Sequence, residues 1–234
     1  MDSETDALIA EFVAAGGRAA DWAPDFSVAP TDAAPIVREH RHDDALEREI
    51  ELASWGFRPS WAKGKGPSPI NARLETVASN GLFRGAFAKQ RAIVPMRGYY
   101  EWTEAEADGK TIKIPHFIHG AGELLAAAGI YTVRKVDDEW VVSMAIITRE
   151  ARDASGEVHD RMPVFLTPDT WGDWTSPAKL DKPDEKQELV AMLDRASLAV
   201  ASTITTYPVS KRVNNVRDTS VAKDDPSLIA PLAG

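Results

Sequence analysis

The sequence predicts a single α+β domain with mixed, mostly antiparallel β-sheets, barrel-like in outline, and helices at its periphery. Three observations support this prediction. Short segments rich in β-branched and aromatic residues fill the middle of the chain, from Arg91 to Thr148. Turn signals at Asp108-Gly109 and Asp137-Asp138 join these segments in pairs, as in antiparallel hairpins. Helix signals lie towards the two ends, and no internal stretch is polar and long enough to separate two domains.

The first third of the chain is expected to hold one helix, two strands and two loops. Ser3-Glu4-Thr5-Asp6 fits a capping box, apolar residues follow at helical spacing, and Gly16-Gly17 ends the helix. The elements that follow are a loop over residues 18–32, strands at Ile36-Val37 and Ile50–Leu52, and an extended loop rich in proline and glycine from Arg58 to Pro69.

The same signals predict the remaining elements. They are a short helix around Ala78–Ala88, strands at Arg91–Val94, Gly98–Thr103, Ile112–Ile118, Leu124–Val133, Trp140–Thr148 and Met162–Leu166, helices at Pro168–Trp174 and Pro183–Arg195, and a late strand at Val200–Thr206. The predicted domain covers residues 1–222, and residues 223–234 are expected to form a loose C-terminal tail.

Charge is unevenly placed along the chain. The 27 basic and 36 acidic residues give a net charge of −9, which by itself disfavours nucleic acid as a partner. From Arg58 to Arg97, however, eight basic residues stand against a single acid, Glu75. The local field matters more than the total, so this segment is either a solvated basic face or a track for a polyanion.

Composition excludes several kinds of chemistry. The 234 residues contain no cysteine, so neither disulfides nor thiolate ligands nor a cysteine nucleophile occur among them. His40-x-His42 and His116-x-x-His119 have no specific metal-ligand spacing, and we predict no metal or organic cofactor. The longest apolar run, Leu124 to Val133, is too short to cross a bilayer, and no signal peptide is evident. We expect a cytoplasmic protein without a membrane partner.

Two residues are candidates for proton transfer. In the predicted strand Gly98–Thr103, alternation places Glu101 on one face with Tyr99. A glutamate buried among aromatic rings has a raised pKa and donates protons near neutral pH. His159 can take or give a proton in the same range. Taken alone, each residue fits an ordinary surface glutamate or loop histidine better than a catalytic group.

Other residues are candidates for binding. Arg73 and Arg161 can grip phosphates with their forked donors, and Asn71 can donate to one group while accepting from another. Trp55 and Trp61 lie among basic residues and can stack on bases, although packing explains Trp55 better.

In their order along the chain, these motifs resemble the SRAP (SOS-response-associated peptidase) family. The similar stretches are VAP at 28–30, WGFRPSW at 55–61, PINARLET at 69–76, VPMRGYYEW at 94–102, AIITREA at 145–151, HDRMPV at 159–164 and YPVSKRVNNV at 207–216. The resemblance therefore extends from about residue 26 to residue 216.

The resemblance implies a function. Members of this family bind single-stranded DNA at abasic sites, often near a junction with a duplex. Their cysteine follows the initiator methionine in a Met-Cys-Gly-Arg start, and removal of that methionine is attributed to the protein itself. The freed amine forms an imine with the sugar aldehyde, and the thiol closes it to a thiazolidine, a covalent DNA–protein crosslink.

The resemblance also implies roles for positions of this chain. Asn71 would hold the geometry near the N-terminus, Glu101 would move protons during imine formation, and His159 would assist ring opening or crosslink reversal. The residues implied in DNA binding are Arg73 and Arg161 at phosphates, Thr148 beside them, and Pro30 and Trp61 near exposed bases. Ala62 stands where some family members carry a second aromatic residue.

The start of the chain departs from the family. Met1-Asp2-Ser3-Glu4 stands where a Cys-Gly-Arg strand would precede the first helix. We expect a shortened chain, and the alternative is a natural variant that binds DNA without crosslinking. A third hypothesis, an unrelated hydrolase using Glu101 and His159, leaves the basic segment unexplained. The expected partner is single-stranded DNA with abasic sites, including single-strand/double-strand junctions, bound by a monomer.

Overall fold

The computed structural model describes residues 16–17, 25–43, 45–62, 66–216 and 220–232. The strands within these ranges are β1 (Gly16–Gly17), β2 (Ala33–His42), β3 (Ala45–Trp55), β4 (Asn71–Arg73), β5 (Arg91–Met96), β6 (Gly98–Ala107), β7 (Lys110–His119), β8 (Leu125–Val136), β9 (Glu139–Glu150), β10 (Arg161–Pro163), β11 (Phe165–Leu166) and β12 (Thr205–Pro208). The α-helices are α1 (Leu74–Val77), α2 (Arg84–Lys89), α3 (Asp153–Gly156), α4 (Trp171–Thr175) and α5 (Pro183–Ala201). The predicted N-terminal helix and residues 18–24 of the predicted loop lie outside the described residues.

Five strands close into a barrel. Antiparallel pairing runs from β3 to β2, β5, β8 and β9, and β9 returns to β3 by a short parallel pairing of Ser54 with Ser143 and Trp55 with Met144. Strands β4 and β10 add to β9 beyond that closure, one on each side. The predicted α+β class with barrel-like sheets is confirmed.

Strand β8 is buried on both faces. Ala126, Ala128 and Ile130 belong to one apolar cluster, while the alternating Leu125 and Ala127 belong to another. Alternate side chains of a strand point to opposite faces, so a strand between two cores needs apolar residues at every position. The predicted apolar run is therefore explained by its central place in the barrel.

Hairpin turns form where the sequence predicts them. Asp108 and Gly109 have φ values of 51° and 70°, and Asp137 and Asp138 have values of 47° and 67°. Two consecutive positive φ angles are typical of the two-residue turns that match strand twist. The first turn joins β6 to β7, which form a separate three-stranded sheet with β12.

Helix α5 is longer than predicted. Its buried residues are Leu189, Leu193, Ala196, Ser197 and Ala201, a helical spacing that continues to the last turn. The predicted strand Val200–Thr206 is therefore wrong at its start, since Val200 is helical, and β12 begins only at Thr205.

Two other predicted elements differ from the prediction. Of the helix expected at Ala78–Ala88, only the part from Arg84 onward forms, as α2, because the side chain of Asn80 accepts a hydrogen bond from the amide of Leu82 at 2.8 Å and forms a turn. The strand expected at Met162–Leu166 forms as β10 and β11, which pair with different neighbours, β9 and β8.

The C-terminal segment packs against the domain. The amide of Phe26 donates to the carbonyl of Lys223 at 2.7 Å, and Leu228 is buried beside Phe117. Residues 223–232 are therefore not the loose end that the sequence suggested, while the domain boundary at residue 222 stays a prediction. None of the helices in the described part of the chain has the length and apolar character needed to cross a membrane.

Candidate functional site

Four predicted residues lie on one face of three paired strands. Arg73 of β4 pairs with Thr148 of β9, and Pro163 of β10 pairs with Thr148 from the other side. Cross-strand partners and residues two apart share a face, so Asn71 lies with Arg73 and Arg161 lies with Pro163. We call Asn71, Arg73, Thr148 and Arg161 the β9 platform.

The position before Asn71 is fixed by two hydrogen bonds. The carbonyl of Ile70 accepts from the indole of Trp55 and from the amide of Ile146, each at 3.0 Å. Trp55 itself is half-buried against a core cluster. Its indole therefore positions the start of β4, and the preference for packing over base stacking at Trp55 agrees with this contact.

An acidic residue holds the platform together. The guanidinium of Arg161 donates to both carboxylate oxygens of Glu75, at 2.7 and 3.1 Å, and to the carbonyl of Thr148 at 2.7 Å. The hydrogen bond from Arg161 lowers the pKa of Glu75, and the charges of Arg161 and Arg73 act in the same direction. The sequence analysis assigned no role to Glu75. Its position as the single acid among eight basic residues could have indicated an ion-pair partner for one of them.

Glu101 is a half-buried carboxyl group on β6. Burial raises its pKa, the charge of His159 lowers it, and the charge of Asp160 raises it again. Within the described residues no hydrogen-bond donor is paired with this carboxylate. Glu101 therefore keeps its proton to a higher pH than an exposed glutamate does, as the sequence argument requires of a proton donor.

His159 lies in the loop after α3, close enough to Glu101 to act on its pKa. Its Nδ1 accepts a hydrogen bond from the amide of Arg161 at 3.0 Å, so the neutral ring carries its proton on Nε2. The same Nδ1 is 3.1 Å from a carboxylate oxygen of Asp160, a contact that becomes an ion pair when the ring is protonated. The imidazole therefore has the amide of Arg161 as a partner when it is neutral and the carboxylate of Asp160 when it is protonated.

Helix α3 connects the histidine loop to strand β6. The backbone carbonyl of Ser155 accepts from the amide of His159 at 2.9 Å, and its hydroxyl shares a hydrogen bond with the hydroxyl of Tyr99 at 2.7 Å. Tyr99 lies two residues before Glu101 on the same face. Ser155 therefore sets the histidine loop against the strand that carries the glutamate, a role that no sequence signal indicated.

The two residues predicted to contact bases lie outside these strands and the histidine loop. Pro30 is exposed in a turn that hydrogen bonds to the end of β3 through Thr31 and Asp32. Trp61 is 69% exposed and lines a cleft beside α2. The structure brings together the β9 platform on one hand and Glu101 with His159 on the other, joined through Arg161.

One group of side chains in the described ranges is spaced for a metal ion. His40, Glu47 and Glu49 of the β2–β3 hairpin hold their ligand atoms within 4.8 Å of one another. A guanidinium nitrogen of Arg38 lies 3.9 Å from Glu49, and this positive charge competes with a cation. The group belongs to a surface ion-pair network and not to the platform.

Fold and site together define a class of protein: a small α+β barrel that carries a cationic three-strand platform beside a carboxyl–imidazole pair. The family model for the SOS response associated peptidase (SRAP) matches residues 1–216. The chain belongs to the SRAP family.

Relatives and solved structures agree with this assignment. The chain is 32% identical to abasic site processing protein YoaM of Bacillus subtilis, over 86% of this chain and 84% of that protein. It is 29% identical to abasic site processing protein YedK of Escherichia coli, over 82% and 80%. A crystal structure of a Bacteroides thetaiotaomicron protein superposes with a TM-score of 0.66 at 25% identity, over 87% of this chain and 82% of that chain.

Proposed function

We propose that this protein recognises abasic sites in single-stranded DNA, with the lesion on the β9 platform and Glu101 and His159 beside the sugar. The observation that carries the proposal is the convergence of Asn71, Arg73, Thr148 and Arg161 on one face, next to that carboxyl–imidazole pair. The names of the relatives, abasic site processing proteins, indicate the same kind of substrate.

Phosphate binding on the platform is an exchange of anions. Arg161 is already paired with the carboxylate of Glu75, so a phosphate has to displace that carboxylate or share the guanidinium with it. Arg73 and Arg161 carry forked donors suited to phosphate oxygens. Affinity should fall steeply with salt concentration, because phosphate contacts release counterions from the DNA.

The half-buried carboxyl group and the histidine suit the chemistry of an abasic sugar. Opening the sugar ring to its aldehyde adds a proton to the ring oxygen and removes one from the anomeric hydroxyl group to water. The protonated imidazole of His159, with Asp160 as its ion-pair partner, can supply the first of these protons. An amine that attacks the aldehyde gives a carbinolamine, which loses water to form an imine. The protonated carboxyl group of Glu101 can supply the proton that leaves with the hydroxyl.

Lesion binding without a covalent bond is the second candidate function. The 234 residues contain no cysteine, so the thiol of the family's thiazolidine is not among them. The two candidates share the platform and differ in whether a nucleophile reaches the aldehyde. They can be separated by one pair of gels.

The test compares this chain with a version that carries Met-Cys-Gly-Arg in front of Asp2. Each is mixed with a labelled single strand that contains one abasic site, and is run on native and denaturing gels. We expect native binding by both proteins and a covalent band with the added cysteine. A strand carrying the tetrahydrofuran analogue, which has no aldehyde, is the matched control and should bind without a covalent band.

Three results would count against the proposal. Phosphate contacts weaken over a range of about 50 to 300 mM salt. An affinity for the abasic strand that stays constant over this range would exclude DNA phosphates as ligands. Equal affinity for an undamaged strand and for the abasic strand would exclude recognition of the lesion. A covalent band that persists after Glu101→Gln would exclude the proposed proton transfer.

A further inference from the structure

Glu101 has a histidine as its direct neighbour on the adjacent strand. In the antiparallel ladder of β6 and β7, Glu101 is paired with His116. Directly opposite residues of such a ladder share one face of the sheet, and their Cβ atoms are about 4.5–5.5 Å apart. A carboxyl group and an imidazole on these two residues come within hydrogen-bonding distance by rotation of their side chains. His116 is therefore close enough to act on the carboxyl group of Glu101.

One nitrogen of the His116 ring has a partner and the other has none. Nε2 lies 3.0 Å from the hydroxyl oxygen of Thr103, which is two residues after Glu101 on the same face of β6. Nδ1 is buried and has no hydrogen-bond partner within the described residues. Buried nitrogens are nearly always paired, so an unpaired one requires an explanation. The unpaired Nδ1 and the unpaired carboxyl group belong to neighbouring side chains, and each can satisfy the other.

Burial favours the uncharged form of both groups. It lowers the pKa of His116 and raises the pKa of Glu101. A neutral imidazole has one N–H, and when Nε2 donates it to the hydroxyl of Thr103, Nδ1 is an acceptor. A protonated carboxyl group has one O–H to donate. A hydrogen bond from this O–H to Nδ1 therefore satisfies both groups without placing a charge away from water.

The loop after α3 contributes two titratable groups next to Glu101. The charge of His159 lowers the pKa of Glu101, and the charge of Asp160 raises it. Nδ1 of His159 already accepts from the amide of Arg161, and the proposed reaction assigns this ring to the oxygen of the sugar. The acceptor for the carboxyl proton of Glu101 therefore has to come from another element.

The neighbouring strands add no charge beside the pair. Burial raises the pKa of Tyr99, which shares the face of Glu101 on β6, so its hydroxyl stays uncharged. Strand β12 places Thr206 and Pro208 on the face of His116, and neither side chain titrates. Among the described residues directly beside Glu101 on these three strands, His116 alone can change its charge near neutral pH.

We propose that His116 is a positioning residue for Glu101: its neutral imidazole accepts the carboxyl O–H at Nδ1 while Nε2 donates to Thr103, which holds the proton on Glu101. This inference rests on the proposed function, because it takes Glu101 as the acid in imine formation. As the C–O bond of the carbinolamine breaks, the nitrogen lone pair forms the C=N bond, and the hydroxyl group leaves as water with the carboxyl proton. The iminium nitrogen then returns its proton to the carboxylate, and the pair with His116 forms again.

The first test needs neither DNA nor an added cysteine. Long-range ¹H–¹⁵N spectra report the tautomer of each of the five histidines through a pH titration. We expect the neutral ring of His116 to carry its proton on Nε2, and its Nδ1 resonance to move in the step in which Glu101 ionises. Glu101→Ala should abolish that step, whereas Glu104→Ala, a change at an exposed residue of the same strand, should keep it. His119, on the opposite face of β7, is the internal control.

The second test measures the pH dependence of crosslinking. It uses the version with Met-Cys-Gly-Arg in front of Asp2 and a single strand with one abasic site. His116→Ala removes the acceptor, so the rate should begin to fall about one pH unit lower on the alkaline side, as for one lost hydrogen bond. His116→Gln has a side-chain oxygen that accepts the carboxyl O–H and should keep most of the rate. His119→Ala is the matched control and should leave the alkaline limb in place.

The outcomes distinguish this inference from the proposed function. Crosslinking by a protein in which His116 has its proton on Nδ1, or in which His116→Ala leaves the alkaline limb in place, would overturn the role of His116 and uphold the proposed function. Equal shifts of the limb with His116→Ala and His119→Ala would also overturn this role, since they indicate a loss of packing. A His116 resonance that follows Glu101, without a covalent band from the added cysteine, would support the hydrogen bond and overturn the crosslinking reaction.

Discussion

Arg91 and Glu101 are ten residues apart and are both withdrawn from water. Within the described chain, hydrogen-bond partners compensate the charge of Arg91 but not that of Glu101. Arg91 is 3% exposed and donates to the backbone carbonyls of Phe87, Trp174, Ser176 and Ala178. Burial lowers the pKa of Arg91 to about 10, so the side chain still carries its charge at neutral pH. Glu101 is also withdrawn from water, but no donor within the described chain compensates its charge.

This difference in hydrogen bonding identifies Arg91 as a structural charge and Glu101 as a candidate functional one. Four carbonyl oxygens around one guanidinium lock the β5 end against α4 and the residues after it. A carboxyl group without such partners costs folding energy when it ionises, and proteins keep such groups mainly where chemistry needs them. Arg161 is intermediate, since it is half-buried and held by a carboxylate that a phosphate could replace.

The largest effect should come from breaking the structural charge. Replacing Arg91→Met removes the donor from four carbonyls, two of them in fully buried hydrogen bonds. We expect a loss of about 4 kcal/mol in the free energy of unfolding, since each unsatisfied buried group costs about 1–3 kcal/mol. Chemical denaturation followed by circular dichroism measures it. Arg84→Met, in the same basic segment but exposed, should change stability by less than about 0.5 kcal/mol.

The next largest effect should appear in DNA binding. We expect Arg161→Ala to weaken binding to an abasic single strand by roughly 10- to 100-fold, as for a lost charged hydrogen bond. The slope of log affinity against log salt should become shallower by about 0.7, because one phosphate contact is gone. Anisotropy titrations at four salt concentrations give both values. Arg38→Ala removes an arginine paired with Glu51 at 2.7 Å on the β2–β3 hairpin and should leave the slope unchanged.

A smaller effect of opposite sign should follow from Glu75→Gln. The change removes a carboxylate that competes with phosphate for Arg161, so affinity for single strands should rise a few-fold at low salt. Stability should fall by less than about 1 kcal/mol, because half-exposed ion pairs contribute little. Glu51→Gln is the matched control and should not alter DNA affinity. A decrease in affinity would mean that Glu75 serves to position Arg161 and not to compete for it.

Glu75 and Glu101 should also differ in the sign of their pH dependence. The pKa of Glu75 is lowered in the folded protein, so its stabilisation is present above the ordinary pKa of 4.5 and is lost as pH falls through the lowered value. The pKa of Glu101 is raised, so its favourable contribution is present below 4.5 and is lost as pH rises through the raised value.

The two glutamine variants test this difference. As pH rises from about 4 to about 8, the range in which a raised glutamate pKa falls, Glu101→Gln should gain stability relative to the unaltered protein. Glu75→Gln should be less stable than the unaltered protein above pH 4.5, and the difference should shrink as pH falls below that value towards about pH 3. Denaturation midpoints at several pH values measure both trends, and Glu104→Gln, exposed on the same strand as Glu101, should follow the unaltered protein. Parallel curves for all three variants would contradict the assigned environments.

Local signals predicted most of the strands and both two-residue turns. They failed where tertiary contacts decide the length of an element. Val200 has the β-branched side chain of a strand residue, but the apolar stripe that buries Leu193 and Ala201 keeps it helical. The apolar residues around Ala78–Ala88 suit a helix, but the turn at Asn80 delays its start to Arg84.

The sequence by itself determined the fold class and the family, because hydrophobic alternation, turn chemistry and short motifs are local properties. It also proposed candidate site residues, but neither Glu75 nor Ser155 was among them. The closure of the barrel and the choice of partners were decided only by the tertiary structure. Eight basic residues between Arg58 and Arg97 look alike in sequence. In the folded protein Arg91 is a buried clamp, Arg73 lies on the β9 platform, and Arg84 and Lys89 line a cleft. Burial and pairing depend on residues distant in sequence, and they give these equal charges different surroundings.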